Sequence, residues 1–327
     1  MSRGALAAIA TALIGGAVAI ALVVGADGDQ AAVRAWKPLR PAPLARTEVA
    51  AARVGRFIYV VGGFERRSGE TTGALERYDV RRNRWRRLRW MPVAVNHPAA
   101  ASYRGDVYVL GGYRARADLR DETGALYRYD PDRNRWSRLP NAPTRRGALV
   151  VGVIGGRLYA AGGANAASGA LKTLEMYDFA TRRWSRGPDM TVAREHLAGA
   201  VARGAFYVLA GRAAGQGNLT VAERYLPRRR RWERLPDLRK GRGGIGAATA
   251  AGRVVVVGGE EAAGTIASVE AYGLASNRWS ELPPLRTPRH GLGVVSRGRR
   301  VYAIEGGPEP GLHFSNAIEA LDLSSGR

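Results

Sequence analysis

Six segments of this 327-residue chain set a strong donor three residues before a small or apolar side chain. They are Arg46, Asn96, Arg146, Arg194, Arg242 and Arg289, ahead of Val49, Ala99, Leu149, Leu197, Ile245 and Leu292. A guanidinium fork matches carboxylate, phosphate or sulfate, so this series could grip an anionic ligand. It could equally be scaffold, satisfying backbone carbonyls. His97, His196 and His290 lie in the same segments, with Glu48 and Glu195, while His313 stands in PEPGLHFSN near Glu309. Imidazole beside carboxylate suits acid–base catalysis or metal ligation. The histidines occupy different repeat positions and form no HxxxH-type pair, so no metal ligand is assigned and no cofactor is expected. Catalytic candidates are Glu195, His196 and Glu305. Glu305 takes the place filled elsewhere by Val61, Leu110, Ala161, Leu209 and Val257, and a carboxylate in an apolar slot must pair, titrate upward or face water. Pairing with an arginine is preferred to catalysis.

These residues are positioned by a repeat. Tyr78, Tyr129, Tyr177, Tyr225 and Tyr272 are each followed seven residues later by Trp85, Trp136, Trp184, Trp232 and Trp279. Ahead of each tyrosine runs an apolar β-type segment ending in small residues, such as IYVVGG to Gly63 and VYVLGG to Gly112. Each unit reads as four short antiparallel strands, a to d, separated by turn residues. A c–d hairpin sets each tyrosine opposite its tryptophan, where an aromatic pair fixes register. Glu76, Glu175, Glu223, Glu270 and Glu319 recur two residues before the aromatic slot of strand c, with Tyr127 replacing the second member.

A double glycine followed by Tyr and then Trp, at a period of 48 to 51 residues, resembles the kelch family of β-propellers. The resemblance covers residues 36–327 and implies an all-β fold, a ring of six four-stranded blades around a central channel. The last repeat ends before any tryptophan, whereas Trp36 in RAWKPL matches RWSRL, so the Trp36 region is expected to complete the last blade and close the ring. Kelch propellers mostly bind partners, and in metazoan ubiquitin-ligase adaptors similar arginines grip acidic peptides. The ligand-binding set implied here is Arg46, Asn96, His97, Arg146, Arg194, Arg242, Arg289 and His290. The partner is then an acidic protein segment or acidic glycan. Six-bladed bacterial kelch proteins also include exported sialic acid mutarotases, so the alternative is a carbohydrate epimerase acting on an acidic sugar. Copper radical oxidases of this fold need a cysteine-modified tyrosine, and the chain has no cysteine.

Strand polarity puts d–a and b–c connections on one face and a–b and c–d turns on the other. The second face collects Arg81, Arg82, Arg133, Arg182, Arg183, Arg229 and Arg230, which suit an anionic membrane surface. Residues 4–26 are uncharged and long enough to span a bilayer, behind Arg3. Residues 1–26 are therefore expected to be a signal-anchor helix, or a signal peptide cut near Val24-Gly25-Ala26, with a linker at 27–35 and the propeller at 36–327 outside the cytoplasm, tethered or secreted. The formal charge of +23 rests on 51 basic residues, of which only Lys37, Lys172 and Lys240 are lysines, a pattern that coding bias also produces. Basic residues on both faces without an aromatic platform disfavour nucleic acid, and a monomer is expected. Trp90, outside the repeat register, could stack on a sugar or cover a blade edge.

Overall fold

The computed structural model describes residues 35–114 and 120–323. The expected anchor, cleavage site and most of the linker lie outside them. Among the described residues no helix is long and apolar enough to cross a membrane.

Six antiparallel sheets follow one another along the chain, each with strand a innermost in its a-b-c-d order. Blade 1 comprises Ala50–Val54, Phe57–Val61, Leu75–Asp79 and Arg84–Arg87. Blade 2 comprises Ala99–Tyr103, Asp106–Leu110, Leu126–Asp130 and Arg135–Leu139. Val150–Ile154, Arg157–Ala161, Leu174–Asp178 and Arg183–Arg186 form blade 3. Blade 4 is built from Ala198–Ala202, Ala205–Leu209, Ala222–Leu226 and Arg231–Arg234. Gly246–Ala250, Arg253–Val257, Val269–Gly273 and Arg278–Leu282 make blade 5. Blade 6 has Gly293–Arg297, Arg300–Gly306 and Ser315–Asp322, and beside the last lies Lys37–Pro38, with Lys37 opposite Ala320 and Pro38 opposite Glu319.

The blades cohere through their broad faces. Strand b is apolar on both sides, as in Val254, Val255, Val256 and Val257, all fully buried, because each blade is covered by a neighbour on either side. The hydrophobic clusters accordingly straddle blade pairs. One joins Val49, Ile58, Val60 and Tyr78 of the first repeat to Val295, Tyr302, Ile304 and Ile318 of the last. The second glycine of each pair lets a neighbouring loop come close: at Gly63, where φ is 92°, a Cβ would lie 2.4 Å from the Thr47 carbonyl oxygen. No other residue fits that approach without moving the loop.

Each c–d hairpin has the expected pairing, with Tyr78, Tyr129, Tyr177, Tyr225 and Tyr272 opposite Trp85, Trp136, Trp184, Trp232 and Trp279. Ring centroids are 5.0 to 5.3 Å apart. The tryptophans also tie each blade to the one before. Trp85 Nε1 donates to the Arg40 carbonyl, Trp136 to Arg89, Trp184 to Pro140, Trp232 to Pro188 and Trp279 to Pro236, all at 2.7 to 2.8 Å. Trp36 makes the same bond at 2.8 Å to Pro283, the corresponding residue of blade 5, and is buried among Val301, Ala303, Leu321 and Leu323.

Removing this anchor has a defined cost. Trp36→Ala deletes a buried aromatic ring and one indole bond, so it should lower unfolding free energy by about 3–5 kcal/mol. Chemical denaturation of the variant against wild type measures it. A loss below about 1 kcal/mol would mean that the Trp36 segment rests on the last blade without holding it.

Candidate functional site

The arginine series is not a ligand surface. Arg46, Arg194, Arg242 and Arg289 are 0 % exposed and Arg146 is 1 % exposed. Each guanidinium is inserted into the blade that follows it. Arg146 Nη1 donates to the carbonyls of Gly162 and Thr173 and its Nη2 to Glu175 at 2.7 Å. Arg194 does the same with Ala210, Val221 and Glu223, and Arg242 with Gly258, Ser268 and Glu270. Arg289 uses the carbonyls of Glu305 and Ala317 and the carboxylate of Glu319. Burial pulls Arg194 down to about 10, with Glu223 opposing the shift, so it remains charged at neutral pH. The reading of Arg46, Arg146, Arg194, Arg242 and Arg289 as anion-gripping residues is thereby corrected: no face of these guanidinium groups is open to a ligand.

Asn96 is not a member of the series. The arginines stand sixteen residues before the first of the paired small residues. The same count in blade 2 reaches Val95, whose carbonyl accepts from Gly63 as those of Arg146 and Arg194 accept from Gly112 and Gly163. Asn96 therefore aligns with Glu195 and His290, and the three make equivalent bridges to Tyr113, Arg212 and Gly307. Blade 2 has lost both halves of the ion pair together, since Val95 replaces the arginine and Tyr127 the glutamate, and both sit in one apolar cluster.

The same count moves Glu305. It fills the first-glycine slot, at a φ of 55°, where the other blades have Gly62, Gly111, Gly162, Ala210 and Gly258. Ile304, not Glu305, is the counterpart of Val61 and Leu110. Glu305 is fully buried and reaches across to Arg46, whose Nη2 donates to Oε1 at 3.0 Å while its Nε lies 2.9 Å from Oε2. Arg46 thus faces two carboxylates, Glu305 and Glu76. Burial pushes Glu305 up to about 7 even though Arg46 opposes the shift. Its carboxyl is a structural partner with no route to a substrate.

What the loops bring to the axis is a different set. The second residue after each arginine slot takes a left-handed conformation: Glu48, His97, Ala148, His196, Gly244 and Gly291, with φ between 50° and 66°. Their backbones form a chain of bonds around the channel. His97 N donates to the Glu48 carbonyl, Ala148 to His97, His196 to Ala148, Gly244 to His196 and Gly291 to Gly244, at 2.8 to 3.0 Å. The last link is shifted, because Val49 N rather than Glu48 N donates to the Gly291 carbonyl, at 3.2 Å. These residues line a small cavity of about 70 Å³, room for several waters.

His97 and His196 therefore share one repeat position, against the expectation that the histidines stand at different ones. Their rings meet edge to face, 4.7 Å between centroids. His97 Nε2 lies 3.1 Å from Glu48 Oε2, and His290, one position earlier in its loop, sets Nδ1 3.1 Å from Glu48 Oε1. Burial alone would raise the Glu48 carboxyl, but His97, His290 and His196 outweigh it and hold it well below the usual range. His97 is driven by burial down to about 4, while burial of His290 is outweighed by Glu48, which raises it. Glu195 bonds His196 Nδ1 and is held low by that imidazole against the effect of its burial. The His313 side chain is half-exposed beside Glu309. Trp90 is 56 % exposed. Aligning the loops by their distance to the glycine pair, rather than by the next apolar residue, would have found Glu48, His97 and His196 as one set.

The sequence matches the KLHDC2/KLHL20/DRC7 Kelch-repeats domain over residues 48–242 and a Kelch motif over 241–286. The chain belongs to the kelch-repeat family. It is 49% identical over 53 residues to Kelch-like protein 26 of Mus musculus, covering 16% of this chain and 9% of that one. It is 29% identical over 132 residues to Kelch-like ECH-associated protein 1A of Danio rerio, covering 40% and 20%. The matched segments thus span only a fifth or less of these relatives' lengths. The solved structure of YjhT superposes with a TM-score of 0.76 at 15% identity, covering 88% of this chain and 98% of that one, a likeness of fold.

Two expectations follow. Arg194→Met should cost about 3–5 kcal/mol by stranding Glu223 in the blade, whereas Arg194→Val with Glu223→Tyr, the pair used by blade 2, should recover at least half of that. Denaturation of the two variants decides it, and an additive double variant would refute the coupling. Glu305 holds its proton to higher pH in the folded chain than in the unfolded one, where its ordinary value is near 4.5. Its contribution is therefore present in full below pH 4.5 and lost as pH rises through about 7. Glu305→Gln should gain on wild type by up to about 3 kcal/mol between pH 5 and 8. Melting curves across that range show the convergence, or a constant offset if Glu305 stays ionised throughout.

Proposed function

We propose that this kelch chain is an interaction module for an anionic partner, held outside the cytoplasm by its N-terminal apolar segment, with its ring kept shut by the Trp36 segment. The observation that carries the reading is the contrast between two sets of arginines. Those of the d–a loops are buried and bonded through their Nη atoms to carbonyls and carboxylates inside the blades, whereas Arg81, Arg82, Arg133, Arg182, Arg183, Arg229 and Arg230 of the c–d turns are all exposed. Only the second set can meet a ligand. Of these, Arg133 spends part of its charge on Asp130 and Arg229 on Glu233.

A cationic turn face suits an anionic membrane surface, to which each arginine contributes up to about 1 kcal/mol. Docked this way, the propeller turns its histidine-bearing mouth outward. An acidic protein segment or glycan would then be met at the rim of that mouth by exposed residues such as Arg66, Arg67 and Arg145, not by the buried series. The epimerase alternative keeps Glu195 and His196 as an acid–base pair but loses both Glu305 and the arginines it would use for a sugar carboxylate.

Protein beginning at Val33, which forms one compact unit to the C-terminus, tests this directly. It should bind vesicles containing anionic lipid in a salt-dependent way and ignore zwitterionic ones. Changing Arg81, Arg82, Arg182, Arg183, Arg229 and Arg230 to Gln should weaken binding at least about a hundredfold. Equal affinity for both vesicle types would end the proposal. Anomer exchange catalysed on an acidic sugar would put the epimerase in its place.

A further inference from the structure

The axial cluster of Glu48, His97 and His196 is used neither by the fold's ion pairs nor by the proposed docking face. One ligand atom from each lies within 4.8 Å of the others, and all three side chains are buried. They come from three different blades onto one backbone-bonded ring, so their spacing is set by the whole propeller rather than by a flexible loop.

Each of the three is oriented by a neighbour. The Asn96 amide donates through Nδ2 to Thr71 Oγ1, which turns its Oδ1 toward His97 Nδ1 at 2.7 Å. In the tautomer that donates from Nδ1 to Asn96 Oδ1, the Nε2 lone pair of His97 is aimed at Glu48 Oε2. That tautomer sets two acceptors 3.1 Å apart, which a bound cation would bridge. His196 has the same polarity, since Nδ1 is taken by Glu195 and Nε2 is left as the donor atom for a ligand. Glu48 is held through its other oxygen by His290, whose Nε2 is fixed by the Glu309 carbonyl at 3.0 Å. Imidazoles whose far nitrogen is fixed by a carboxylate or amide oxygen, together with an oriented carboxylate, make up the usual inner and outer layers of a transition-metal centre.

We propose that Glu48, His97 and His196 bind one divalent ion of the zinc class at the channel axis, with a coordination position open to the cavity. Two imidazoles and one carboxylate are a recurrent ligand set for zinc sites that keep an exchangeable position. The ring's three other positions, Ala148, Gly244 and Gly291, bring no polar side chain, and the cavity of about 70 Å³ leaves room for water or a small oxyanion. The bound ion would let the cavity accept an oxygen ligand.

The test uses the untagged full chain, stripped with chelator and titrated with Co²⁺. One equivalent should give visible d–d bands of a four- or five-coordinate ion and raise the melting temperature, and Zn²⁺ should displace it. Added azide or acetate should shift the bands. Bands unchanged by either would remove the open position. His196→Ala is expected to fold, because Ala148 takes the same conformation at the same position, with a φ of 51°. It and Glu48→Gln should each weaken Co²⁺ binding at least about a hundredfold, and Glu195→Gln, which only orients His196, about tenfold. His313→Ala should bind as wild type does. No absorption or thermal shift in the wild type, or binding that survives in both His196→Ala and Glu48→Gln, overturns the site.

Discussion

Everything at the channel mouth depends on a buried guanidinium inserted into the blade that follows it. Five such groups satisfy the carbonyls exposed where strand b turns at its paired small residues and where strand c begins, and each is matched by a glutamate on strand c. The arginine pulls its loop down onto the blade, and the chain leaves that anchor through a left-handed residue two positions later. That residue is what reaches the axis. The scaffold and the site are thus one device, since the side chain that cannot touch a ligand decides where the next ones point.

Blade 2 shows that the ion pair is one solution among others. Val95 and Tyr127 fill the same space without charge, and the loop still carries its left-handed residue, His97, to the same ring. A buried pair repays its desolvation only when every donor finds an acceptor, so an apolar replacement is tolerated when both members change together. Blade 6 shows the opposite departure. Glu305 adds a second carboxylate to Arg46 in a slot that otherwise favours glycine, so one arginine bridges the last repeat and the first. One departure lies beside His97 and the other contacts Arg46 beside Glu48, two of the three residues drawn into the axial cluster.

The blade plan was legible because its signals are local and repeated. Tyrosine and tryptophan spaced by seven residues dictate a hairpin, and paired glycines dictate where loops approach one another. The site was only half legible. Its residues were named, but Asn96 and Glu305 were placed one position out of register, because apolar residues near loops are too common to mark an alignment. The sixteen-residue distance to the glycine slot is fixed by an arginine–carbonyl bond and so was the better ruler. Burial of the arginines could not be read from residue type alone, since an exposed fork and a satisfied one share the same letter. The carboxylates two residues before each aromatic slot held that information, and the joint loss at Val95 and Tyr127 would have revealed it.

The indole bonds run in one direction, each tryptophan reaching back to the repeat made before it. Trp36 alone reaches forward, and its acceptor at Pro283 is synthesised 247 residues later. The first of these rings to leave the ribosome is consequently the last to be covered. Folding of this polypeptide can advance sector by sector, yet its final step joins residues nearly 250 positions apart, so a truncated product keeps an unsheltered aromatic at one end and a bare strand edge at the other.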